Sequence, residues 1–147
     1  MDYDTVTPEE FGAGLRGIGL NLLVPDVPRT ARFLEAVFDM RAHRVSADYA
    51  IMALGGQVMQ LHSDRSFSNH PLLGVLPETP PRGAGIEIRL YDGDPDAAAV
   101  RAEPAGGTVL QAPRDKPHGL REAVILCRDG YAWVPSRPLV TREDADA

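Results

Sequence analysis

Residues 17–26 read GIGLNLLVPD, and 66 positions later residues 83–92 read GAGIEIRLYD. Each is a short apolar run that ends in Asp. Each is followed by a stretch with apolar or small residues at helical spacing, VPRTARFLEAVFDM (27–40) and DPDAAAVRAEPAGG (94–107). Strand followed by helix is the reading in both places. Pro28 suits the first turn of the first helix. In the second, Asp94 reads as the cap, Pro95 as the start and Gly106 as the stop, with Pro104 shortening it. The offset of 66 pairs Gly17 with Gly83, Gly19 with Gly85, Asn21 with Glu87 and Asp26 with Asp92.

Three strand-like runs follow each helix. The first set is AHRVSA (42–47), YAIMAL (49–54) and QVMQLHSD (57–64), with Gly55-Gly56 as a hairpin turn. The second is GTVLQAP (107–113), LREAVILC (120–127) and YAWVPS (131–136). The closing strands align at an offset of 74, Gly56 with Gly130 and Gln60 with Val134. The pattern predicts an α+β fold of two tandem βαβββ modules, forming one curved mixed sheet, a cup, with the helices outside. Residues 1–15 read as an N-terminal tail, 16–64 as the first module, 65–83 as a connector with one helical turn at NHPLLGVL, 84–139 as the second module and 140–147 as a C-terminal tail. A duplicated unit of this kind does not bury its sheet face alone.

Composition narrows the function classes. The net charge is −6 and the acids gather at both ends, MDYDTVTPEE and REDADA, which read as solvated tails. No basic footprint for nucleic acid is present. No apolar run approaches the roughly 18 residues that span a membrane. No leader pattern opens the chain, so a cytoplasmic location is expected. The single cysteine, Cys127, excludes an internal disulfide and reads as a small buried hydrophobe.

The duplicated unit, with GIGLNLLVPDVPRTARFLEAVFDM and the closing CRDGYAWVPS, resembles the vicinal oxygen chelate superfamily of glyoxalases, extradiol dioxygenases and bleomycin-resistance proteins. The resemblance spans residues 16–139. It implies paired modules, a divalent metal at the centre of the cup in many members, and frequent homodimers. In metal-using members the ligands sit on the first and last strand of each module. Counted from Asp26 and Asp92, the first-strand slots fall on Gly19 and Gly85; the last-strand slots fall on Gln60 and Val134. Glycine and valine offer no donor, so three of the four slots are empty.

Polar groups reappear two residues further along each strand, at Asn21, His62, Glu87 and Ser136. Period two keeps them on the same face. A displaced centre built from His62, Glu87 and Gln60, with His70 or His118 as a further ligand, suits zinc, iron, manganese or nickel. The same groups suit acid–base work without metal, with Glu87, His62 and His118 as catalytic candidates. Asn21, Gln60, Arg89, Lys116, Arg121 and Glu122 are candidate substrate contacts. Each has a plainer alternative: a structural ion pair with Arg89 or Arg121 for Glu87, a bond to a loop carbonyl or water for His62, a turn for His70, a surface loop for His118. Trp133 falls on the opposite strand face from Val134 and reads as core. The expected function is a glyoxalase-like lyase, isomerase or oxygenase acting on a small polar metabolite. The alternative is a metal-free protein that binds an antibiotic-like molecule.

Overall fold

The computed structural model describes residues 1–67 and 69–140. In chain order the elements are α1 (Pro8–Gly14), β1 (Asn21–Val24), α2 (Val27–Phe38), β2 (Arg41–His43), β3 (Tyr49–Leu54), β4 (Gln57–Ser63), β5 (Glu87–Leu90), α3 (Pro95–Ala102), β6 (Thr108–Asp115), β7 (Leu120–Leu126) and β8 (Ala132–Pro138). Two short 3₁₀ turns, Asp64–Phe67 and Pro71–Val75, lie in the connector. The strands form two four-stranded mixed sheets, ordered β1-β4-β3-β2 and β5-β8-β7-β6. These are the two βαβββ modules of an α+β fold. By contacts the chain divides into two units, one running to Val75 and the other from Leu76 onward, with Ala36–Phe38 counted in the second.

The same logic builds each module. β1 pairs parallel with β4, and β5 with β8. A parallel pair needs a crossover, which the helix supplies. Asp26 caps α2 by accepting the Arg29 amide at 3.0 Å, and Asp94 caps α3 by accepting the Ala97 amide at 3.0 Å. Asp39 ends α2 in the left-handed conformation, with φ 58°. The α2 stripe of Val27, Ala31, Leu34 and Val37 is buried, as is the sheet row of Leu22, Val24, Ala50, Met52 and Leu61. In the second unit α3 lies against β6, β7 and β8. Trp133 is fully buried there, on the strand face away from Val134. Gly83 donates to the Gly130 carbonyl at 3.3 Å, and a Cβ at Gly83 would meet the Tyr131 ring at 2.6 Å. That close approach requires glycine.

The register corrects the repeat. The two helix caps are Asp26 and Asp94, an offset of 68 rather than 66. The sheets agree: Asn21 lies opposite Gln60, and Arg89 lies opposite Val134. Asp92 is instead a turn residue with φ 58°, two positions before the cap. The equivalent of Gly19 is therefore Glu87, not Gly85. A two-residue slip keeps every side chain on its face, so the apolar pattern alone does not report it.

Residues 1–15 are not a solvated tail. Thr7 and Glu10 form a reciprocal capping box that starts α1. Val6 and Phe11 are buried against Ile51, with Tyr3, Tyr49 and Val58 around them. Three further ties hold the segment: Asp4 to His43 Nδ1 at 3.0 Å, Arg44 Nε to the Tyr3 carbonyl at 2.8 Å, and Arg44 Nη2 to the Val6 carbonyl. Two apolar anchors in an otherwise acidic stretch were enough, because the β3–β4 face offered apolar surface to cover. The expected C-terminal tail falls almost wholly on 141–147, outside the described residues. Phe11→Ala should lower unfolding free energy by about 3 kcal/mol in urea. A loss within about 0.5 kcal/mol would mean the segment contributes nothing to the fold.

Candidate functional site

Alternation along β5, β7 and β8 sorts the second module's side chains. Glu87 and Arg89 lie on the same face as Val134; Glu122 lies opposite Ser136 on that face. Ile88, Trp133, Ile125 and Arg121 occupy the other face. The polar face gathers four charged or titratable groups. Arg89 Nη1 donates to Glu87 Oε2 at 3.1 Å, and Arg89 Nη2 donates to Glu122 Oε2. His118 Nε2 lies 3.2 Å from Glu122 Oε2. The side chain of Glu122 is 7% exposed, whereas Glu87 is 56% exposed and His118 52%. The Arg89 guanidinium also lies 5.7 Å from the Tyr91 ring centre.

Glu122 is the anchor of this group. Burial pushes its carboxyl up, but the Arg89 and His118 hydrogen bonds and charges outweigh it and hold it below the ordinary carboxylate value. An ionised Glu122 accepts, so His118 Nε2 carries the proton toward it. In the neutral tautomer that donates from Nε2, the other ring nitrogen, Nδ1, keeps its lone pair. Beside this pair, the Ser136 hydroxyl is fully buried and has no partner among the described residues.

The other expected residues are placed differently. Arg121 departs from its expected role. It forks onto Asp96 at 2.8 and 2.9 Å and reaches Asp115 at 2.9 Å, on the sheet face that carries α3. One position in a strand separates it from Glu122, and one position reverses the face. Lys116 sits in the β6–β7 turn, where its amide donates to the Leu120 carbonyl. His70 accepts the Leu72 amide at 3.0 Å and so serves the turn before Pro71–Val75. In the first module His62 is half-buried beside Tyr49, ring centres 5.1 Å apart, and burial lowers its pKa. Gln60 accepts from the Tyr49 hydroxyl at 2.9 Å, and Asn21 starts β1 beside it.

Among the described residues no group of three or more His, Cys, Asp or Glu could hold a metal ion. His62, Glu87 and His70 therefore do not form the expected centre: Glu87 is paired with Arg89 and His70 is spent on a turn. The corrected register moves one slot onto Glu87, but Gly19 and Val134 still offer no donor. The described residues do not fit a resident metal, which ordinarily takes three or more protein ligands.

No family profile and no curated protein matches the sequence. Solved structures do match. A glyoxalase/bleomycin resistance protein/dioxygenase family enzyme from Burkholderia phytofirmans PsJN has a TM-score of 0.68 at 18% identity, over 82% of this chain and 96% of its own. The fold is that of the vicinal oxygen chelate superfamily. A hypothetical protein from S. aureus shares it with a TM-score of 0.68 at 22% identity, over 86% of this chain and 97% of its own. The fosfomycin resistance protein of Mesorhizobium loti shares it with a TM-score of 0.60 at 18% identity, over 90% of this chain and 99% of its own. At such identities the vicinal oxygen chelate fold carries no particular activity with it.

Two outcomes follow from the buried pair. Arg89→Met should cost about 2 kcal/mol in urea, less than a fully dry pair because Arg89 keeps some water contact. The carboxyl of Glu122 is lowered by folding, so its stabilisation is complete above 4.5, the ordinary value, and drains away as pH falls through the lowered one. Glu122→Gln should therefore flatten the acid side of the stability curve; an unchanged acid limb would contradict the pairing.

Proposed function

We infer that the chain is an acid–base catalyst on a glyoxalase-like fold, acting on a small polar metabolite without a resident metal. One observation carries this reading: His118 is oriented by a buried carboxylate that Arg89 keeps ionised. A carboxylate that fixes one ring nitrogen leaves the other to take and return a proton, the arrangement general acid–base catalysis uses. His118 supplies the exchange and Glu122 positions it. Arg89 and Glu87 line the approach. Lyase and isomerase chemistry both consist of such proton transfers. A homodimer remains part of this proposal by the resemblance set out above, and a cytoplasmic location remains part of it as an expectation from the sequence. A second reading, metal-free capture of a small molecule, is favoured by a cavity in the first module.

Proton transfer leaves a direct trace. In D₂O the protein should exchange the acidic C–H of its substrate for deuterium, read by proton NMR across a panel of small oxo- and hydroxy-acids. His118→Gln should lower that exchange by about 100-fold or more, with the melting temperature held, while His62→Ala retains it. Exchange that survives His118→Gln, or that a chelator abolishes, would refute the reading.

A further inference from the structure

A cavity of about 550 Å³ remains between the N-terminal segment and the sheet of the first module. That volume suits a small organic molecule. Val6, Phe11, Leu15 and Ile51 supply apolar wall, and Tyr49 and Gln60 supply the polar part. The Tyr49 hydroxyl donates to Gln60 Oε1 at 2.9 Å, and burial pushes the phenol up, so it stays a neutral donor. With its carbonyl engaged, Gln60 has its amide N–H groups left to give. Arg44 also borders the cavity. Its Nε and Nη2 are spent on the Tyr3 and Val6 carbonyls, and Nη1 remains as a charged donor.

Charge decides what this site selects. The protein carries a net −6, yet among the described residues no acidic side chain lines the cavity. An apolar slot edged by an amide donor and a guanidinium is built for a flat apolar body ending in an anion. We propose that the first module binds an aromatic monocarboxylate here, its ring against Phe11 and Ile51 and its carboxylate on Gln60 and Arg44. The N-terminal segment is the roof of this site, held down by Asp4, Arg44 and Phe11. The site shares no residue with the Glu122–His118 pair and does not depend on the acid–base reading.

Naphthoate is the probe, titrated calorimetrically into the full chain. One equivalent should bind, and Gln60→Leu should weaken it about tenfold or more through loss of the amide donor. Gly12→Leu, on the roof helix, should weaken it at least as much by filling the cavity. A Cβ at Gly12 meets nothing within 4 Å, so the leucine side chain starts without a clash; with its melting temperature retained, this variant decides the matter if Gln60→Leu unfolds. His118→Gln should bind as the wild type does, which separates this result from the fate of the acid–base proposal. Absence of binding at millimolar probe, unchanged affinity in folded variants, or equal affinity for neutral naphthamide would overturn the assignment.

Discussion

In each module the first strand pairs parallel with the last, and most of the structure follows from that pairing. A parallel pair cannot be closed by a hairpin, so a capped helix must cross between β1 and the rest of its sheet, and another between β5 and its own. The pairing also places the first-strand polar positions beside the last-strand ones. Asn21 meets Gln60 in one module; Glu87 and Arg89 meet Ala132 and Val134 in the other. Everything distinctive about the two polar faces starts from these registers.

The modules then diverge by what covers or fills the face. In the first, the β3–β4 face is largely apolar around Ile51 and Val58, and the N-terminal segment lies on it. In the second, the face keeps two carboxylates, a guanidinium and an imidazole, which satisfy one another. A carboxylate buried as deeply as Glu122 is tolerable only when paired. Arg89 meets that need, and the geometry it imposes is what orients His118.

Alternation and cap chemistry made the fold legible in the sequence. YAIMAL matches β3 residue for residue, and the helix after Asp26 runs to Phe38 as its spacing indicates. The strand ends were less legible: GTVLQAP extends to Asp115, and of AHRVSA only Ala42 and His43 lie in the strand, which begins at Arg41. The repeat was misaligned by two because a slip of two leaves the apolar pattern untouched, and Asp92 and Asp94 both look like caps. A count from the cap that Pro95 follows would have found Glu87. The N-terminal helix was missed, although Thr7, Glu10 and Phe11 carry a capping box and an apolar anchor. Net acidity masked that signal.

The site was legible in membership more than in wiring. Glu87, Arg89, Glu122 and His118 were all singled out, and the structure brings them together. Sequence spacing did not show that Glu122, rather than Glu87, is the buried member, because that depends on β8 lying beside β7 and placing Ser136 opposite Glu122. Nor did it show that Arg121 turns to Asp96, twenty-five residues away in sequence. The most direct test of this account is a carbon-13 NMR titration of the Glu122 side-chain carboxyl. A midpoint below 4.5 that climbs above it in Arg89→Met is the predicted result; a wild-type midpoint above 4.5 would contradict the account.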